Sequence, residues 1–283
     1  MTDWLTAHKI PIGDWIKALV DFLNTHAQGF FDLVSVVLGG LVEGVTAVLL
    51  AVPPLLLVAA VAGLAYLLHR SVKLALTAVL ALLLIINLGY WKETVETLSL
   101  VLWATTLSML IGVPLGIAAA HNPRVYAALR PALDLMQTIP TFVYLIPTLI
   151  LFGLGVVPGL ISTVVFALPA PIRLTHLGIS RVPRPLIEAG EAFGASRRQI
   201  LTKVELPAAM PSITAGLTQC IMLSLSMVVV AALVGADGLG KPVVRALNTV
   251  NVARGFEAGL AIVILAIILD RLCRRPGTTG EGA

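Results

Sequence analysis

The sequence predicts an all-α fold, a polytopic transmembrane helical bundle of about seven spans, and two observations lead there. Of 283 residues, 58% are hydrophobic and only 12% charged, with a mean hydropathy of +0.98. Ordinary soluble domains carry about 25% charged residues, roughly twice as many. The apolar residues are also gathered into runs that approach or exceed the roughly 20 residues needed to cross a bilayer as a helix. Those runs lack the alternation of barrel strands, and lipid satisfies no backbone N–H or C=O, so helices are the spanning element.

Residues 1–45 precede the first run. Residues 1–28 mix Asp3, Trp4, His8, Lys9, Asp14, Trp15, Lys17 and Asp21 with no continuous apolar core, so no removable signal peptide is expected. Residues 12–38 read as an amphipathic segment lying in the headgroup region, anchored by Trp15, Leu19, Phe22 and Phe30. Two accessory spans fill 46–90, at about 46–68 and 72–90, and Pro53-Pro54 should kink the first. The remaining five form a core over 91–273, at about 95–120, 139–155, 158–175, 209–235 and 257–273. Pro114, between Gly112 and Gly116, should kink the third run. The fourth and fifth are short, are joined by "GLGVVPG", and read also as one bent hairpin. Residues 274–283, "RRPGTTGEGA", read as a short disordered cytoplasmic tail.

Lys and Arg placement sets the expected orientation. Thirteen of the 19 basic residues fall on one set of connections: Arg70 and Lys73, Arg124 and Arg130, six between 173 and 203, and Arg271, Arg274 and Arg275. That side is expected to face the cytoplasm, with the N-terminus outside and the C-terminus inside. The same distribution accounts for the net charge of +4 and the pI near 9.3 without nucleic acid. The outer loop 236–256, with Lys241, Arg245 and Arg254, runs against the rule. Within the seven runs the interiors hold no Asp, Glu, Lys or Arg. Intramembrane ionisable groups usually mark proton or ion pathways, so a proton-coupled carrier and a membrane hydrolase are disfavoured. A sodium-coupled carrier built on backbone carbonyls remains open. Cys220 and Cys273 fall in or beside apolar runs and are read as free thiols. His69, His121 and His176 are read as ordinary interfacial histidines.

One soluble-looking stretch interrupts this pattern, "EAGEAFGASRRQILTKVELP" at 188–207, within a connection at 176–208. Pro185 suits the first turn of a helix. Leu186, Ala189 and Phe193 then share one face at i, i+3 and i+7. Gly194 can take the left-handed conformation that ends a helix, and Ser196 with Gln199 forms a capping-box pattern that starts a second. Ile200, Leu201 and Val204 give that second helix its apolar side. Pro207 should hold Leu206 extended and close the unit. Two helices of about two turns are marginal alone in water and need something to pack on. A DNA-binding helix–turn–helix is disfavoured because membrane runs begin a few residues away on both sides.

The spacing of this stretch resembles the cytoplasmic loop of permease subunits from ATP-binding-cassette (ABC) importers. That loop follows Glu-Ala-Ala, three residues, Gly, nine residues, Ile, one residue, Leu-Pro. This chain has Glu188-Ala189-Gly190, three residues, Gly194, nine residues, Val204, Glu205 and Leu206-Pro207, with Gly190 for Ala and Val204 for Ile. The resemblance covers roughly 90–272 and implies a type I importer (MetI-like) core. It implies that Leu186, Ala189 and Phe193 give apolar contact to a groove of a separate ATPase, Glu188 a polar contact and Gly194 the turn. It also implies two copies of that ATPase, a second copy of this permease, membrane lipid as surroundings, and an extracytoplasmic substrate-binding protein. "QTIPTFVYLIP" (137–147) and "GADGLGKPVVRALNTVNVARGFEAGLAIVILAIILDR" (235–271) look like the branch importing glycine betaine, proline betaine and choline. The implied seat is the bacterial inner membrane.

By the same reading the chain is not an enzyme and carries no cofactor or metal. "GADGLGKP" (235–242) nearly fits a phosphate-binding loop, but Pro242 stands where Ser or Thr would hold Mg²⁺ and the stretch follows an apolar run. It reads as a turn, by resemblance near the outer mouth. Quaternary ammonium groups are held by aromatic cages, and Trp103, Phe142, Tyr144 and Phe166 are the aromatic candidates for the substrate path. Competing readings are an amino acid or sulfonate as cargo, and an ion-coupled carrier with no ATPase.

Overall fold

A computed structural model describes residues 11–273, which are helical with no strand among them. The expected tail at 274–283, and the residues before 11, lie outside the described residues. The helices are α1 (Ile12–Ala51), α2 (Pro54–His69), α3 (Val72–Asn87), α4 (Trp91–His121), α5 (Pro123–Thr138) and α6 (Thr141–Phe152). They continue as α7 (Val156–Ala167), α8 (Pro169–Ser180), α9 (Arg184–Ala192) and α10 (Arg197–Ile200). A π-helical turn (Leu201–Glu205), α11 (Leu206–Ala232), α12 (Gly240–Asn248) and α13 (Val252–Cys273) complete the described residues.

Among the described residues, five helical stretches are long and apolar enough to cross a membrane, and a sixth if α5 and α6, bent by 100°, count as one. Three differences from the sequence reading have local causes. The boundary drawn at 45/46 falls inside α1, which runs for 40 residues with a non-helical backbone only at Ala27. It therefore carries Asp32 and Glu43 within a spanning-length helix, whereas the interiors of the drawn runs held no charge. Pro53-Pro54 ends the helix instead of kinking it, because Pro54 drives Pro53 to an extended ψ of 135°. The 139–155 run shortens to α6, and the 158–175 run becomes α7 and α8, one stretch from Val156 to Ser180. Pro114 and Pro147 sit inside α4 and α6.

At the centre, α4, α8 and α11 approach through glycine. A Cβ placed on Gly116 would lie 2.6 Å from Thr175 Cβ and 2.7 Å from the Ile172 carbonyl, and one on Gly112 2.7 Å from Pro171. Gly178 meets Ser212 and Ala209, and Gly216 meets Pro171, in the same way. Close backbone approach of this kind is how helices pack where lipid provides no hydrophobic drive. Around it, Ile85, Leu100, Leu225 and Leu265 bring α3, α4, α11 and α13 into one apolar core.

Pairings between distant residues sort the connections into two ends. His69 Nε2 lies 3.3 Å from the Leu272 carbonyl, and His121 reaches Glu205. The 69–73 turn, the end of α4, the 181–205 segment and the end of α13 thus share one end. At the other, Gly155 N–H bonds the Val234 carbonyl, and Leu239 N–H bonds the Thr97 hydroxyl at 2.8 Å. "GADGLGKP" closes here as a turn with Gly235 and Gly238 at φ +92° and +122°.

Candidate functional site

The segment after α8 is closed by local caps. Pro183 is extended, and α9 starts at Arg184 with Pro185 in its first turn. At its end, Gly194 N–H bonds the Glu191 carbonyl and Ala195 N–H bonds the Gly190 carbonyl, with Gly194 at φ +76°. That bond pair is the Schellman closure, which needs a residue free to go left-handed. Ser196 then caps α10: its hydroxyl accepts from Gln199 N–H while the Gln199 side chain accepts from Ser196 N–H at 2.7 Å. The stop at Gly194 and the start at Ser196 are thereby capped by neighbouring residues.

α9 is held along one edge and exposed elsewhere. Gly190 faces the following segment, where a Cβ would stand 3.6 Å from Ile200 and 3.7 Å from Val204. Leu186, Ala189 and Phe193 form an exposed apolar stripe, Leu186 at 50% and Phe193 at 93%, and Glu188 is exposed as well. Leu206 and Pro207 are set apart from that stripe, at the junction with α11. Here one expectation is corrected. Leu206 is helical, φ −61° and ψ −46°, so Pro207 does not close the unit. Inside a regular helix the Pro207 ring would strike the carbonyl four residues back. The Leu201–Glu205 turn widens to the five-residue register, with Leu206 N–H on the Leu201 carbonyl, and the chain enters α11 unbroken.

That junction also holds a pair absent from the sequence reading. Glu205 is 7% exposed and the one buried carboxylate or cation among the described residues. His121 Nε2 stands 2.9 and 3.2 Å from its two oxygens, while Nδ1 is 2.9 Å from the Ile117 carbonyl. A signal was present: Glu205 is the sole acidic residue between Glu191 and Asp237, at the mouth of an apolar run. What was missing was its partner, 84 residues earlier. His176 is engaged differently, stacked on Tyr126 at 3.9 Å.

The four path aromatics are not gathered on one surface. Tyr144 and Phe166 face each other with centroids 6.4 Å apart, and the Tyr144 hydroxyl donates to the Met136 carbonyl. Trp103 donates from Nε1 to the Leu41 carbonyl at 2.9 Å and packs with Leu38 and Val42 of α1. Phe142 is 57% exposed on α6. At the end away from α9, a cleft of about 380 Å³ is lined by Glu43, Glu96 and Asp237. Beside it, Tyr90, Glu93, Arg245, Arg254 and Glu257 line another, of about 460 Å³. Burial, then Glu257, raises the Tyr90 hydroxyl pKa above the ordinary phenol value. No group of three His, Cys, Asp or Glu among the described residues is placed to hold a metal.

Comparison with known proteins bears on the whole chain. Residues 112–275 match the family described as "Binding-protein-dependent transport system inner membrane component". The chain is 47% identical over 264 residues to the glycine betaine transport system permease protein OpuAB of Bacillus subtilis, covering 93% of each. It is 45% identical to the glycine betaine/carnitine transport permease protein GbuB of Listeria monocytogenes, covering 93% of this chain and 94% of that one. It is 42% identical to the glycine betaine/proline betaine transport system permease protein ProW of Escherichia coli, covering 97% and 82%. Among solved structures, an inward-facing MetNI methionine ABC transporter chain superposes with a TM-score of 0.59 at 24% identity, over 68% of this chain and 98% of that one. That last likeness concerns the fold. The expected type I permease core is therefore present, and the chain belongs to the binding-protein-dependent inner-membrane transport components, as an ABC permease of the betaine branch.

Proposed function

We propose that this chain forms the translocation path of an ATP-driven importer for quaternary ammonium solutes, glycine betaine first among them, and that α9 is its contact with a separate ATPase. The observation that carries the reading is the exposed apolar stripe of α9: the helix lies against Ile200 and Val204 at Gly190, while Leu186, Ala189 and Phe193 remain exposed. An amphipathic helix presented this way suits a groove on another protein. The cargo is supported by the names of the relatives, in which glycine betaine recurs; proline betaine and choline are the neighbouring solutes.

The end bearing α9 then faces the cytoplasm, together with Arg70, Lys73, Arg124 and Arg271, as the basic-residue rule asks. Two copies of the chain sit side by side, each docked on one ATPase subunit, and a binding protein delivers solute at the opposite end. ATP draws the two ATPase subunits together, α9 carries that movement into the bundle, the path opens outward, and hydrolysis resets it. The binding protein supplies tight recognition, and Tyr144 with Phe166 offers an aromatic surface for weak passage.

The test is uptake in proteoliposomes holding this chain with its ATPase and binding protein. Glycine betaine accumulation that requires internal ATP is the expected result. Accumulation driven by a sodium or proton gradient without ATP would overturn the reading, and failure of the binding protein to hold any betaine would overturn the cargo.

A further inference from the structure

We infer that His121 and Glu205 are positioning residues that form the mechanical joint between the α9–α10 unit and the spanning helix α4. This rests on the reading of α9 as the ATPase contact. The chain of contacts is short and continuous. Gly190 of α9 bears on Ile200 and Val204, Val204 precedes Glu205 in the π-helical turn, and both Glu205 oxygens are held by the last residue of α4. From there α4 runs 31 residues through the bundle and locks against α8 at Gly112 and Gly116. A push on α9 therefore reaches two helices: α11 through the backbone, and α4 through this pair.

The chemistry suits a joint better than a simple staple. With Nδ1 2.9 Å from the Ile117 carbonyl and Nε2 2.9 Å from the carboxylate, the ring is held from both sides by hydrogen bonds. Such contacts are directional and stiff. Removing the His121 ring would leave the Glu205 carboxylate at 7% exposure without that hydrogen bond. His121 keeps about half its side chain exposed, 47%, so the ring can swing with the segment it holds. The adjoining π-helical turn is the local irregularity where such a segment can shift register, a common feature of functional helix sites. Continuity alone does not establish transmission, so the test must read coupling and not only stability.

The experiment uses the full transporter in proteoliposomes and reads glycine betaine moved per ATP hydrolysed, beside the thermal stability of the complex. The variant pair His121→Leu with Glu205→Leu leaves no stranded charge and should insert and assemble. Its ATP hydrolysis is expected to persist while solute moved per ATP falls about two- to thirtyfold, the range by which mutations along such networks modulate coupling. Glu205→Gln, which keeps an acceptor for the ring N–H, should restore solute per ATP to near that of the unaltered chain. Solute per ATP unchanged in the double leucine variant would overturn the joint, even if its stability fell, since that is what a purely structural pair predicts. Absence of ATP-dependent uptake by the unaltered chain would instead sink the reading of the chain itself, and the joint with it.

Discussion

The α9–α10 unit and the α4–α8–α11 contact are both built around glycine, yet the glycines do opposite things. Gly194 meets nothing within 4 Å and is needed for its φ of +76°. Gly116 has ordinary helical geometry and is needed for the space it leaves, with Thr175 and Ile172 where a Cβ would stand. The first region is held by its own caps and offers side chains outward; the second is held by backbone contact and offers nothing. The difference separates a surface made for a partner from a surface made for the chain itself, and substitutions can separate them further.

The largest effect should come from the interior. Gly116→Val places a branched side chain where there is no room, and overpacking of a well-packed core typically destabilises by about 1–3 kcal/mol or more. Membrane yield and thermal stability in detergent should both drop steeply. A stable, abundant Gly116→Val protein would mean that α4 and α8 stand further apart than described. Next in size is Phe193→Ser on the free face. At 93% exposure its loss should leave thermal stability within experimental error. ATPase affinity should fall about tenfold, equivalent to about 1.4 kcal/mol, as for an aromatic anchor at an interface. Loss of fold in place of loss of ATPase binding would erase the contrast between the regions.

Smaller again is Ser196→Ala. The hydroxyl and the Gln199 side chain close the start of α10, and losing such a cap typically costs about 1 kcal/mol. Because α10 is only four residues long, that loss should appear as faster amide exchange across 196–200, with the bundle unchanged. Uniform protection would show that the π-helical turn and α11, not the cap, order this segment.

What could be read from the sequence followed the same division. The unit at 184–200 was legible because its signals are local. Proline at the start, glycine at the stop, and Ser196 three residues before Gln199 each act within one turn, and the spacing from Glu188 to Pro207 fixed the resemblance. The apolar runs gave the helices but not their ends. Residues 12–51 mix Asp32 and Glu43 with strong helix formers, so polarity suggested a boundary where the backbone has none. Pro207 misled because a π-helical turn has no sequence signature of its own. His121 and Glu205 needed 84 residues of chain to be folded before they met, and the path aromatics depended on which helix faces which, a matter of tertiary packing.

Gly63 gives the smallest effect and the finest discrimination. It lies in α2 with nothing within 4 Å of a built Cβ and without a left-handed backbone, so neither use of glycine described above applies to it. Gly63→Ala should then be neutral or stabilising by about 0.5–1 kcal/mol, the usual gain from replacing glycine inside a helix. Thermal stability of the single chain and of the assembled transporter should move together. If the variant is neutral in the isolated chain but weakens the assembled transporter, another surface must reach Gly63 in the complex. The free face of α2 would then be packed by a second polypeptide, and Gly63 would join Gly116 as a glycine kept for the space it leaves.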